Sequence, residues 1–241
     1  MNIARAATAV LAAAGLFVAC GESGPTRTES RTVAAEGAAR AEIEIRMGAG
    51  ELKLSGAEQA ALMEAAFRYN RERLKPVVDY RVAGTTGVLE VGRRHHSGFS
   101  IGRVVNEWDL RFSDSIPLDL RVNLGAGESR LDLRGLELES LDVDMGVGRM
   151  TLDLSGSRAK GFNVNINGGI GSGTIYLPAE IGVRVEVDGG IGSVNASGLV
   201  KSGGVYRNDA YGHSEVTIDV SIDAGIGSLD LRVEPGSRVR L

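Results

Sequence analysis

The sequence predicts an all-β protein: a solenoid-like stack of two-strand repeats with Gly-x-Gly corners, capped by an irregular N-terminal β unit. Three observations carry this expectation. Apolar and polar residues alternate with period two through most of the chain, the signature of half-buried strands. A Gly-x-Gly recurs at Gly48, Gly125, Gly146, Gly169, Gly190 and Gly225. The intervals from Gly125 to Gly190 are 21, 23 and 21 residues, a regular spacing that indicates one supersecondary unit per repeat of ~21–23 residues.

The repeats fill residues 114–241. Leu118, Leu120, Val122 and Leu124 share one strand face, with Asp119, Arg121 and Asn123 on the other. The same alternation places Leu141, Val143 and Met145, then Phe162, Val164 and Ile166, then Val183, Val185 and Val187, then Val216, Ile218, Val220 and Ile222 on the apolar face. Beyond each Gly-x-Gly a second short strand follows, carried by Leu131 and Leu133, Met150 and Leu152, Ile175 and Leu177, Val194, and Leu229 and Leu231. Such a unit has too little apolar surface to fold alone, and stacking supplies the missing partner. The 35-residue interval from Gly190 to Gly225 reads as one ordinary unit carrying an insertion at 200–215. The strand after Gly225 is expected to be the open edge of the stack, with only Arg232, Glu234 and Pro235 to blunt it.

Residues 39–113 differ. They open on a strand, corner and strand of the repeat type, then run as a meander with larger side chains and the only tryptophan, Trp108. An irregular unit of this kind is what one end of a solenoid needs. Residues 20–38 are rich in Gly, Ser, Thr and charge and read as a flexible tether. Ahead of them, residues 1–19 have the form of a signal peptide, with Arg5 before an uncharged run from Ala6 to Ala19. Phe17-Val18-Ala19-Cys20 resembles a bacterial lipobox, and Cys20 is the only cysteine of 241 residues. The expectation is a lipid-anchored, extracytoplasmic protein, with outer membrane or cell surface favoured by Gly21. The alternative is an ordinary leader with an incidental cysteine. Without the leader, 26 basic residues face 31 acidic ones, a mild and mixed balance that argues against nucleic acid as a partner.

The Gly-x-Gly is not read as a phosphate loop. A dinucleotide fingerprint needs a third glycine three residues after the second, followed by a helix. Here those positions hold Lys53, Arg130, Thr151, Thr174, Asn195 and Asp230, and the downstream residues alternate as strand.

The stretch from "GAGELKLSG" through "FRYNRERLKPVVDY" and "NEWDLRFSDSIPLDLRVNLGAGESRLDLRG" to "GVGRMTLDLSG" resembles the toast-rack family (DUF2154 type) of secreted bacterial proteins. That family is related to the extracytoplasmic part of LiaF-like envelope-stress regulators and to β-repeat adhesins. The resemblance covers roughly residues 40–235, with Trp108 to Gly156 the most specific part. It implies a β-repeat fold outside a membrane and brings no catalytic residues.

A search for chemistry finds little. His95 and His96 are adjacent, so on a strand they would point to opposite faces, and no third metal ligand has motif spacing. Asp132, Asp142, Asp144, Asp153, Asp219 and Asp230 fall on outward positions. Stacked, they would suit Ca²⁺ or the paired acids of a polysaccharide-cleaving enzyme, but the interleaved Arg121, Arg130, Arg134, Arg149 and Arg232 suggest a solvated mixed face. Asn163, Asn165 and Asn167 either bind a sugar or ladder with neighbouring strands. The candidate contact surface is the insertion, through Tyr206, Arg207, Asn208, Tyr211 and His213. Its alternative is a plain excursion with its tyrosines folded back on the stack. The function expected is non-catalytic, without cofactor or metal: an envelope scaffold or a binding and adhesion module. A LiaF-like regulator of envelope stress and a polysaccharide-binding or polysaccharide-cleaving solenoid are the competing readings, with an envelope protein or a glycan as partner.

Overall fold

The computed structural model describes residues 25–92 and 104–235. Among them, the strands of the N-terminal part are β1 (Arg27–Ala34), β2 (Arg40–Ala57), β3 (Ala61–Tyr69), β4 (Val77–Ala83), β5 (Thr86–Gly92) and β6 (Asn106–Ser113). The regular part contributes β7 (Leu118–Asp132), β8 (Leu138–Asp153) and β9 (Phe162–Pro178). The C-terminal part adds β10 (Gly182–Asp188), β11 (Ile191–Ser197), β12 (Val200–Ser202), β13 (Val205–Arg207) and β14 (Thr217–Glu234). All join one hydrogen-bonded sheet.

Five strands are long and bent at their Gly-x-Gly: β2, β7, β8, β9 and β14. Each has one arm before the corner and one after it. They lie parallel in that spatial order, corner on corner: Gly50 opposite Gly127, then Gly148, Gly171 and Gly227. The period-two pattern turns one face of every arm inward. Ile43, Ile45, Leu120, Val122, Leu141, Val143, Val164, Ile166, Val220 and Ile222 are buried from the first arms. Leu52, Leu54, Leu131, Leu152, Ile175, Leu177 and Leu231 are buried from the second. Each such side chain contributes about 1.5–3 kcal/mol when taken out of water. No single rung supplies enough of them to fold by itself.

The corners explain the glycines. Gly148 has φ 146°, and a Cβ there would overlap the Gly127 carbonyl oxygen and lie 2.9 Å from the carbonyl carbon. Gly171 stands in the same relation to Gly148. The rungs approach at the bend more closely than any side chain permits.

At the N-terminal end the two arms of β2 acquire different caps. The first arm pairs with β5, which forms an antiparallel hairpin with β4. The second arm pairs with β6, followed by antiparallel β3 and β1. Phe67, Tyr69, Trp108 and Phe112 are buried here, the Phe67 and Trp108 rings meeting edge to face at 5.5 Å. The tether expected over residues 20–38 is corrected in part. Residues 27–34 are strand β1, held by pairing with β3 and by Glu29, which accepts from Tyr69 Oη at 2.7 Å. Likewise no break in pairing marks residue 113, because β2 pairs with β7 along both arms as β7 does with β8.

The other end departs from expectation. β14 is not the edge: it lies between β9 on one side and β10 and β11 on the other. The unit of Gly190 is therefore the terminal rung, split into β10 and β11 by Gly189 and Gly190. The physical reason lies in the inward residues. The first arms are alike, Ile218, Val220 and Ile222 of β14 lying beside Val183, Val185 and Val187 of β10, but the second arm of β14 brings buried Leu229 and Leu231 where β11 brings only Val194 and Ala196. The apolar rung goes inside and the weak one ends the stack.

Candidate functional site

The insertion builds the C-terminal end. β12 and β13 form a hairpin whose two-residue turn is Gly203-Gly204, both at positive φ (59° and 83°), as a tight hairpin turn requires. β13 pairs antiparallel with β10, setting Tyr206 opposite Val185. The following turn returns the chain to β14 and is fixed by Asn208. The Asn208 side chain donates to the Pro178 carbonyl at 3.0 Å and the Ile181 carbonyl at 2.7 Å, and accepts from the Val183 amide at 2.9 Å.

The five residues expected to form a contact surface therefore separate. Tyr206 and Asn208 are 6% exposed each and face inward. This corrects their assignment as contacts: Tyr206 packs on the core with the Lys201 ammonium 4.9 Å from its ring centre, and Asn208 satisfies buried backbone groups. Arg207 and Tyr211 remain partly exposed, the guanidinium 5.2 Å from the Tyr211 ring centre. His213 is exposed and its amide donates to the Ala210 carbonyl. Cys20, His95 and His96 lie outside the described residues.

The outward acids are committed to neighbouring groups. Asp142 accepts from Arg121 at 3.2 Å and from Asn165 at 2.8 Å, and Asp144 accepts from Asn167 at 2.7 Å. Asn195 donates to Asp230 at 3.0 Å, and Ser155 to Asp153 at 2.6 Å. Arg184 stands 4.0 Å from Asp219. Arg134 reaches Asp132 with two nitrogens, and this hydrogen-bonded pairing holds the Asp132 carboxyl below the usual carboxylate range. Asn165 and Asn167 thus ladder across rungs. Among the described residues, no group of three or more His, Cys, Asp or Glu is placed to hold a metal, and no helix is long and apolar enough to cross a membrane. Arg158 is held by carbonyls instead: it donates to those of Leu136 (2.6 Å) and Leu133 (2.9 Å) over the Phe162 ring, and burial draws its pKa down to about 10.

One feature was not anticipated. A cavity of about 130 Å³ opens at the C-terminal end, beside the corners, lined by Met145, Met150, Ile166, Val187, Val194 and Leu229 among others. The register shows its origin. Before the corner, the inward position is Met47, Leu124 and Met145 in the first three rungs, then Gly168 and Ala224. After the corner, Leu52, Ser129 and Met150 give way to Gly173. The shrinking side chains are visible in the sequence once the rungs are aligned position by position.

The fold has a known counterpart. A candidate cell adhesion protein from Clostridium sporogenes is 35% identical, with a TM-score of 0.83 over 87% of this chain and 100% of its own. A candidate adhesin from Bacteroides fragilis aligns over 86% of this chain and 97% of its own, at 12% identity and a TM-score of 0.28. One from Parabacteroides distasonis covers 86% and 97%, at 10% identity and a TM-score of 0.27. No curated protein matches the sequence. The family model for the N-terminal domain of toast_rack, DUF2154, matches residues 22–176, from the first cap strand into β9, and the chain belongs to that family.

Proposed function

We propose that the protein is a non-catalytic binding module of the cell envelope, of the adhesin type, held outside the cytoplasm by lipid on Cys20. The observation that carries the reading is the commitment of the outward acids. Asp132, Asp142, Asp144, Asp153, Asp219 and Asp230 each have a partner on their own or an adjacent rung, an arrangement suited to holding shape rather than to acid–base chemistry. The likeness to the Clostridium sporogenes cell adhesion candidate along its whole length supports the same reading. The leader and the lipobox-like Phe17-Val18-Ala19-Cys20 support the anchor.

The test compares cells producing the wild-type chain or Cys20→Ala. The wild type is expected in the membrane fraction and labelled by a fatty-acid probe; the variant is expected free of both. The released variant should then bind isolated envelope fragments saturably. Retention of Cys20→Ala in membranes would refute the anchor, and absence of binding to every envelope fraction would refute the module.

A further inference from the structure

β1 is tied to the body of the molecule mainly by its ladder. It pairs with β3 alone among the described residues, and of its eight residues only Glu29 and Val33 are even partly buried. Its side chains reach the segment 61–75: Glu29 accepts from Tyr69 and pairs with Lys75 at 2.8 Å, and Arg27 pairs with Glu72. The strand beneath is of another kind, with Met63, Ala65, Phe67 and Tyr69 all buried. Without β1 the sheet would end on β3, nine residues backed by the core, the sort of edge that recruits a strand.

The link from β1 to β2 is strained. The ladder slips at Val33 and Ala34, where a bulge shifts the register. A tight turn follows, closed by the Ala38 amide on the Ala35 carbonyl at 2.9 Å, with Glu36 at φ 50° and Gly37 at φ 80°. Two left-handed residues in succession suit Asn-Gly or Asp-Gly, and here the first is glutamate. Among the described residues Glu36 is the one residue other than glycine at positive φ, a conformation that a Cβ opposes. Its side chain is exposed, so the turn is imposed by the join between the strands and not by packing of the glutamate.

We infer that β1 exchanges between two copies of the chain, each laying its β1 on the β3 of the other in a closed two-fold dimer. The fit of this occupant is drawn in the single chain. The register runs from Arg27 opposite Tyr69 to Val33 opposite Met63, and the ion pairs of Arg27 and Glu29 cross the same boundary. Those contacts return unchanged in the exchanged dimer. Only the turn differs: once opened, it releases Glu36 from the left-handed region. Relief of that strain favours exchange, and the entropy of association opposes it.

The test uses Ser30 and Ala66, exposed residues that face each other across β1 and β3. Opposed residues of an antiparallel pair stand about 4.5–5.5 Å apart at Cα, within disulfide reach. One full-length chain carries Ser30→Cys and a second carries Ala66→Cys, each with Cys20→Ala so that no other thiol is present. The two are mixed, incubated, oxidised briefly and separated without reductant. A disulfide-linked heterodimer is expected, several times more abundant than that from Ser30→Cys with Lys160→Cys, which measures chance collision. Glu36→Gly in both chains relaxes the turn and should lower the yield by about fivefold or more. Glu36→Pro cannot adopt the turn and should raise it. Both cysteines placed in one chain should bridge within it. A yield no higher than the collision control overturns the proposal, and so does a yield that Glu36→Gly leaves unchanged, whether or not Glu36→Pro folds. Failure of the internal bridge overturns the register on which the exchange rests.

Discussion

Gly148→Ala is the most direct test of why the corners are glycine. The added Cβ would overlap the Gly127 carbonyl oxygen and sit 2.9 Å from its carbon and 3.0 Å from the Gly127 nitrogen. Carbon contacts are comfortable at about 3.5–4.0 Å, so β7 and β8 must part at the bend. The φ of 146° adds a second cost, about 1–3 kcal/mol for a residue with a side chain. Parting the strands weakens the flanking pairing, about 0.5–1.5 kcal/mol for each hydrogen bond lost. With two bonds affected the loss is about 2–6 kcal/mol, against a total stability of about 5–15 kcal/mol. Gly135→Ala is the control: no atom lies within 4 Å of its Cβ, and a change within about 0.5 kcal/mol is expected. Far-UV circular dichroism should place Gly148→Ala at least about 5 °C below wild type and Gly135→Ala beside it. A Gly148→Ala midpoint equal to wild type would refute the argument that backbone contact, rather than any bound group, dictates the corner.

Three further outcomes follow from the same contacts. Asn208→Ala removes a side chain that satisfies three backbone groups and should cost about 2–3 kcal/mol in urea unfolding, whereas Tyr211→Ala should cost under about 1 kcal/mol. Ser129→Ala should stabilise by about 1 kcal/mol, because the Ser129 hydroxyl is buried in an inward row without a hydrogen-bond partner among the described residues. Hydrogen bonds from Lys75 and Tyr69 hold the Glu29 carboxyl below its ordinary range. Its contribution is therefore complete above the unfolded carboxylate pKa and lost as pH falls through the folded one. Amide exchange of β1 relative to β8 should accelerate between pH 5 and pH 3 in wild type, and Glu29→Gln should flatten that dependence.

The repeat architecture was legible because its causes are local. Alternation marks inward faces, and a glycine needed for backbone contact cannot be replaced, so Gly125, Gly146 and Gly169 keep their spacing. Spatial order is not local. The interval from Gly190 to Gly225 is equally compatible with a looped-out insertion and with a chain that turns back, and only the pairing of β14 with both β9 and β10 separates them. A signal existed: Val194 and Ala196 are a poor inward set beside Leu229 and Leu231. The site was harder. Tyr206 and Asn208 look like surface residues in a polar loop, but a hairpin laid on β10 turns one face inward, and burial follows from that pairing.

The return of β14 also accounts for where an open surface remains. Had the chain simply continued, the stack would have ended on an 18-residue strand, bent and apolar on its inner face, with paired rungs on one side only. Such an edge is a template for uncontrolled pairing. Placing β14 inside covers it on both sides and moves the exposed edge to seven neutral residues of β11, next to a first-arm layer already closed by β13 and β12. What is left is a short neutral edge beside the cavity that the small residues Gly168 and Ala224 open. The same replacement of Met and Leu by small residues that weakens the last rungs leaves that end less filled than the rest of the stack.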